Sequence, residues 1–154
     1  MSTEVDSSAH RAELMPCMDC ACFNLRKATR AATQYYDEML RPVGIRVTQF
    51  SLLVAVSIAG SVTVTRLAEL SVMDRTTLTR NLEVLEKQRW IEVTPGEDRR
   101  TRMVSITLEG RKTLTKALPR WKTAQSQIVE ALGKPRWQSL QENLSRIVTM
   151  KELR

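Results

Sequence analysis

The sequence predicts a mainly α-helical fold that contains one small β-hairpin. Apolar residues recur at helical spacing along most of the 154 residues. The period changes to alternation only in residues 90–94 and 102–107, and a turn-forming segment with Pro95 and Gly96 separates these two stretches. Two short strands joined by a turn, with helices before and after them, therefore account for the pattern.

The first part of the chain is predicted to form two helices. The first covers residues 22–40, carries a wide apolar and aromatic band, and is ended by Pro42. The second covers residues 48–59 and is apolar enough to be nearly buried within one chain. Its apolar residues are Phe50, Leu52, Leu53, Val54, Val56 and Ile58.

A helix-turn-helix is predicted next. Residues 64–70 form its first helix, and the apolar residues expected to point into the core are Val64, Leu67, Ala68 and Leu70. Asp74 is expected to cap a second helix, which buries Leu78, Leu82 and Leu85 at spacings of four and three residues. Its opposite face and first turns carry Arg75, Thr76, Thr77, Thr79 and Arg80. This composition is typical of a recognition helix, whose N-terminal half enters the major groove of DNA.

The predicted hairpin has a basic tip. Arg99, Arg100 and Arg102 lie in or beside the turn that joins its two strands. An arginine in such a position can enter a narrow minor groove, where the electrostatic potential is most negative. Together with the preceding helices, the hairpin predicts a winged helix-turn-helix.

The last part of the chain is predicted to form two helices that need a partner. Thr107 can cap a helix over residues 108–132, which Gly133 and Pro135 break. The final helix has the apolar spacing of a two-helix seam, with Trp137, Leu140, Leu144 and Ile147. Because a chain of this size cannot cover all these stripes itself, we expect a homodimer; an intramolecular helical bundle is the alternative.

Composition favours a nucleic-acid partner over catalysis. The formal net charge is +7, although most of the excess lies after residue 112. Local charge decides phosphate binding, and five arginines are expected on the DNA-facing side. One histidine, five glycines and no phosphate-binding glycine loop leave no catalytic set, so no enzyme activity is expected and no cofactor is required. Without a spanning apolar run or a signal peptide, we expect a soluble, cytoplasmic protein with no membrane partner.

The central segment resembles the multiple antibiotic resistance regulator (MarR) family of winged helix-turn-helix repressors. The resemblance rests on LAEL at residues 67–70, the recognition-helix run at 74–93, and Asp98-Arg99-Arg100 followed by ITLEG at 106–110. It implies that Arg100 contacts the minor groove and that Asp98 supports the wing. Family members usually have glycine where this chain has Arg89, so the turn between helix and strand can be built differently here.

The resemblance also implies an effector cleft between the dimer helices and the winged head. Family members commonly bind small aromatic or phenolic molecules there. The candidate lining residues in this chain are Tyr35, Tyr36, Met39 and Phe50, which can equally be plain core.

Three cysteines lie close together at the start of the first long helix. If that helix begins near Pro16, Cys17 and Cys20 share a face while Cys22 lies well round from both. Three interpretations stay open: small apolar residues that pack the helix start, thiols that oxidise, or ligands for a soft metal or metalloid.

The predicted organisation is a single MarR-like domain over residues 1–154. Residues 1–15 are expected to be a flexible N-terminus, 46–110 to form the DNA-binding part, and 16–45 and 111–154 to form dimerisation helices. The predicted function is a homodimeric repressor that binds double-stranded DNA at a pseudo-palindromic operator and is released by a small-molecule, metal or thiol-oxidising effector. The alternatives are a thiol- or metal-handling sensor with little sequence-specific DNA binding and a general architectural DNA-binding protein.

Overall fold

The computed structural model describes residues 7–98 and 100–150, and its chain divides into two compact units. The first unit is Met1–Tyr35 and the second is Tyr36–Arg154. The boundary falls inside the helix Ala21–Leu40.

Among the described residues, the first unit starts with α1, Ser7–Leu14. The expected flexibility of residues 1–15 stays a prediction, and residues 1–6 lie outside the described range. A 3-10 turn, Met15–Asp19, follows, and α2, Ala21–Leu40, starts after Cys20. The predicted start of the long helix near residue 22 is confirmed, but a start near Pro16 is wrong. Cys20 leaves the helical region with ψ 119°, and the Asn24 side-chain amide donates to the Cys20 carbonyl at 3.1 Å.

The second unit contains the remaining elements. After a 3-10 turn at Arg41–Val43 they are α3 (Val47–Ala59), β1 (Ser61–Thr63), α4 (Val64–Leu70), α5 (Arg75–Lys87), β2 (Ile91–Pro95), β3 (Arg102–Ile106), α6 (Leu108–Leu132) and α7 (Lys134–Thr149). The predicted helices and the hairpin are thus confirmed, with ends displaced by a few residues.

A three-stranded antiparallel sheet has the order β1-β3-β2. In the hairpin, Ile91 pairs with Ile106 and Pro95 with Arg102. On the other side of β3, Val62 pairs with Val104. The strand β1 was not predicted, because a strand of three residues is too short to show alternation.

The core of the second unit is mainly aliphatic. Its buried apolar residues include Leu40, Ile45, Phe50, Leu53, Val56, Leu67, Leu78, Leu85, Trp90, Val104, Ile106 and Ala117. Two predicted core residues are instead exposed: Ile58, at 83%, and Leu70, at 53%. Ile58 shares a side of α3 with the exposed Ser51, two turns earlier, and Leu70 is the last residue of α4.

None of the helices in the described ranges is by itself long and apolar enough to cross a membrane. The segments Ala21–Val43 and Val47–Ala59 are together long and apolar enough to cross a membrane, judged by length and composition alone. The two segments are bent by 76° relative to each other.

Candidate nucleic-acid interface

The start of α5 is fixed by Asp74, as the sequence predicts. Its carboxylate accepts hydrogen bonds from the Thr77 backbone N–H at 2.8 Å and from the Thr77 hydroxyl at 2.6 Å. The side-chain hydrogen bond from Thr77, followed by the backbone one, lowers the pKa of the Asp74 carboxyl below its ordinary value. The charged cap thus favours the first turn of α5, where helix dipoles stabilise negative charge.

The turn between α4 and α5 places a valine in a left-handed conformation. Val72 has φ 52°, its N–H donates to the Glu69 carbonyl at 3.1 Å, and the Met73 N–H donates to the Ala68 carbonyl at 2.9 Å. This pair of hydrogen bonds is the Schellman arrangement that ends a helix, a position usually held by glycine. A β-branched residue there costs about 1–2 kcal/mol, so α4 and α5 meet at a strained but fully hydrogen-bonded turn.

The end of α5 repeats this arrangement at Arg89. Arg89 has φ 58°, its N–H donates to the Glu86 carbonyl at 2.8 Å, and the Trp90 N–H donates to the Leu85 carbonyl at 3.0 Å. The idea that arginine in place of glycine gives a differently built turn is therefore wrong. Arginine adopts the left-handed conformation that glycine would adopt.

A hydrogen-bonded junction ties the end of α5 to the start of α6. The Thr107 hydroxyl donates to the Arg89 carbonyl at 2.6 Å and accepts from the Gly110 N–H at 3.0 Å. The Thr107 N–H also donates to the Trp90 carbonyl at 3.0 Å. Gly110 packs so closely here that an added Cβ would lie 2.1 Å from the Trp90 oxygen, which explains the glycine in the ITLEG sequence.

The tip of the wing is closed by Asp98. Its carboxylate accepts from the Arg100 N–H at 3.0 Å, and its carbonyl accepts from the Thr101 N–H at 2.8 Å. The Gly96 N–H donates to the Thr101 carbonyl at 2.8 Å and completes the turn. Asp98 therefore has contacts suited to wing support, and Arg100 is exposed beside it. Arg99 lies outside the described residues.

A cleft of about 610 Å³ separates α5 from the wing. Its lining brings together four of the predicted DNA-contacting residues, Arg75, Thr79, Arg100 and Arg102. The other lining residues are Thr63, Val64, Thr65, Leu82, Glu83, Glu86, Val93 and Thr101. Three arginines thus line one concave surface, and their guanidinium groups are suited to binding phosphate oxygens.

The remaining predicted contacts lie on α5 outside this cleft. Thr76, Thr77 and Arg80 are all exposed. The Thr77 hydroxyl proton is engaged by Asp74 at 2.6 Å, and the Thr79 hydroxyl donates to the Arg75 carbonyl at 2.7 Å. These two hydroxyls keep only acceptor capacity, so they are not free donors to phosphate.

Glu83 and Glu86 line the cleft but were not among the residues predicted from the sequence. The helical period places Glu83 one turn after Thr79 and Arg80, and this spacing could have identified it. The wing had to be positioned before Glu86 could be assigned to the same surface.

The first unit presents all three cysteines as exposed free thiols. The Cys20 N–H donates to the Cys17 carbonyl at 3.1 Å across the 3-10 turn. In the ranges 7–98 and 100–150, no group of three or more His, Cys, Asp or Glu residues is arranged to hold a metal ion. The geometry therefore leaves the thiols open to solution without forming a metal site.

The predicted effector residues have different surroundings. Phe50 is buried and stacks on Trp121 with ring centroids 5.8 Å apart, and the Tyr36 hydroxyl donates to the Gln125 side-chain oxygen. Tyr35 and Met39 are half-buried. Only Phe50 lines the mainly apolar cleft of about 330 Å³ between α3 and α6. The other lining residues of that cleft are Val54, Ser57, Ile58, Arg111, Leu114, Thr115 and Leu118.

The last helix leaves part of its apolar stripe exposed within one chain, since Trp137 and Leu144 are only half-buried. None of the residues of α7 is buried, and Leu140, Ile147 and Val148 are 39%, 43% and 49% exposed. Leu140 and Ile147 belong to the spacing that predicted a two-helix seam.

A helix-turn-helix followed by a hydrogen-bonded hairpin defines a winged helix-turn-helix protein. Residues 43–101 match the MarR family. The Mycobacterium tuberculosis transcriptional regulator MosR, in a structure with DNA, is 36% identical over 87% of this chain and 97% of its own, with a TM-score of 0.80. A mutant of Escherichia coli MarR, in a structure with operator DNA, is 21% identical and covers 88% of this chain and 95% of its own, with a TM-score of 0.76; this likeness concerns the fold.

A further relative is an uncharacterized HTH-type transcriptional regulator, YwoH, of Bacillus subtilis (strain 168). It is 27% identical over 88 residues, which make up 57% of this chain and 64% of the relative. The chain thus spans somewhat less than two thirds of that protein. The chain belongs to the MarR family, as its central motifs predicted. Family and relatives are transcriptional regulators and not enzymes.

Proposed function

We propose that the protein is a homodimeric transcriptional repressor that binds double-stranded DNA at a pseudo-palindromic operator. The observation that carries the proposal is the convergence of Arg75, Arg100 and Arg102 on the cleft between α5 and the wing. A concave surface with three guanidinium groups and an exposed helix beside it suits a sugar-phosphate strand running between two grooves. The DNA that MosR holds in its structure supports the same partner here.

In this proposal α5 enters the major groove and the wing enters the adjacent minor groove. Arg75 and Arg80 are the candidates for contact with guanine edges, because arginine can donate two hydrogen bonds to guanine O6 and N7. Arg100 would enter the minor groove, with Asp98 holding its backbone. Thr77 would act chiefly by fixing the helix start, since its hydroxyl already donates to Asp74.

Dimerisation is supported by the partly exposed apolar residues of α7. Three partly exposed large apolar residues on one helix are costly in water and are expected to pack against a second copy. A two-fold dimer presents two recognition helices, so the operator should have half-sites about 10 bp apart.

The repressor is proposed to act in the cytoplasm and to require no cofactor. Two observations bear on the effector that would release it from DNA. Three exposed thiols in the first unit favour an oxidant. The α3–α6 cleft, with Arg111 among apolar residues, favours a small amphipathic molecule. A soft metal or metalloid is the weaker candidate, because the described cysteines are not gathered as ligands.

The test begins with selection of bound duplexes from a random-sequence pool, followed by footprinting of the enriched duplex. One short palindromic footprint and a dimer in sedimentation are expected. No protection would favour the thiol- or metal-handling alternative, and broad protection would favour an architectural protein. Adding hydrogen peroxide, Cd²⁺ or salicylate to the complex then compares the effector classes. The variant with Cys17, Cys20 and Cys22 all replaced by Ser should bind DNA normally and lose only the response to oxidant or metal.

A further inference from the structure

We infer that Glu83 is a specificity-determining residue that accepts a hydrogen bond from the amino group of a cytosine in the major groove. The inference rests on the proposed function and assigns a base-reading role to a residue that carries the wrong charge for phosphate. Two carboxylates lie in the cleft among the arginines that are expected to hold a polyanion.

Position on the helix distinguishes Glu83 from Glu86. Glu83 follows Thr79 by four residues and Arg80 by three, so it lies on their exposed side of α5. Glu86 follows the buried Leu82 by four residues and therefore lies nearer the core side. Both line the cleft, but only Glu83 combines this lining position with the exposed side that carries Arg80.

Neither carboxylate forms an ion pair with another described residue. The ion pairs within residues 7–98 and 100–150 are Arg66 with Glu69 at 3.0 Å and Lys112 with Glu109 at 3.5 Å. The charge of Glu83 is thus available to a ligand, and it would repel any phosphate that came close.

The chemistry of a carboxylate restricts what it can read. An ionised glutamate only accepts hydrogen bonds, so phosphate and carbonyl oxygens are excluded as partners. In the major groove the donors are the amino groups of cytosine N4 and adenine N6, and a single acceptor group pairs best with cytosine because adenine also presents the N7 acceptor. Glu83 would therefore favour cytosine at one position of each half-site and disfavour bases that present an acceptor there.

The experiment uses the full-length protein and two sets of DNA. The wild type first selects duplexes from a random-sequence pool, and the enriched duplex is then substituted at every position. Wild type should lose affinity about 5- to 150-fold when the cytosine of one half-site is replaced. Glu83→Gln should move the preference at that position from cytosine to adenine, because an amide donates to N7 and accepts from N6.

Two further variants control for charge. Glu130→Gln removes one exposed negative charge from α6, outside the cleft lining, and should leave base preference unchanged. Glu86→Gln should raise affinity for all duplexes alike by reducing repulsion. If Glu83→Gln also tightens binding to all duplexes alike, or changes no base preference, the carboxylate does not read a base and the inference is wrong. If wild type selects no sequence at all, the proposed function itself fails, which is a separate result.

Discussion

Replacing Gly110 by alanine tests the junction that joins the DNA-binding part to α6. A Cβ at this position would lie 2.1 Å from the Trp90 carbonyl oxygen and 2.8 Å from the Ile106 side chain. Ordinary contacts begin near 3.4 Å, so the helix start or the carbonyl must move by roughly 1 Å. The carbonyl cannot rotate away freely, because it accepts the Thr107 N–H at 3.0 Å.

Two effects oppose each other in this substitution. Alanine is favoured over glycine within a helix by about 1 kcal/mol. Overpacking typically costs about 1–3 kcal/mol, and weakening the Thr107 hydrogen bond adds about 0.5–1.5 kcal/mol. The clash should win, leaving Gly110→Ala less stable by roughly 1–3 kcal/mol, or by about 3–10 °C in Tm for a chain of this size.

The measurement is urea and thermal unfolding at one fixed protein concentration, since dimerisation would make stability concentration-dependent. Glu109→Ala is the matched control in the same helical turn. It loses an exposed ion pair with Lys112 at 3.5 Å and a negative charge in the first turn of α6, which together contribute about 1 kcal/mol or less. A Gly110→Ala protein as stable as wild type, or more so, would refute the reasoning, because helix propensity would then have outweighed the contact with Trp90.

Arg89→Gly should stabilise the fold by up to about 1 kcal/mol in urea unfolding, since glycine adopts a positive φ without strain; destabilisation would contradict this. The pKa of Asp74 is lowered in the folded protein, so its charged carboxylate stabilises the fold at pH values above the unfolded-state pKa. This stabilisation is lost as the pH falls through the folded-state pKa, and Asp74→Asn should abolish that pH-dependent loss. Arg100→Ala should weaken binding to all duplexes, most at A·T-rich flanks, in titrations at moderate salt; unchanged affinity would remove the wing from binding. Leu140→Glu should weaken dimerisation, measured by sedimentation, and DNA binding, measured by titration, together and by roughly several kcal/mol. A folded monomer that keeps full DNA affinity would favour the intramolecular bundle.

Local signals accounted for the helices and the hairpin. The period of Leu78, Leu82 and Leu85, with Asp74 before them, identified α5 and its first residue because amphipathic spacing and capping are properties of neighbouring residues. Thr107 was identified as a cap for the same reason. These features do not depend on how distant elements pack.

The errors concern features that only tertiary packing decides. Ile58 is as apolar as the buried Leu53 of the same helix, yet it is 83% exposed, because the core covers only one side of that helix. The strand β1 exists only because β3 offers it a partner. Glu86 could be assigned to the cleft only once the wing lay opposite α5.

The structure also explains how the orientation of α5 depends on α6. The carbonyls of Arg89 and Trp90, at the end of α5 and the start of the wing, both accept hydrogen bonds from Thr107. The same threonine caps α6, and Gly110 leaves no space between that helix and the Trp90 oxygen. Because the contacts are short and the interior is close-packed, α6 cannot rotate at its first turn without displacing these carbonyls. A displacement of α6 therefore shifts the C-terminal end of the recognition helix α5, whose N-terminal end is fixed by the Asp74 cap.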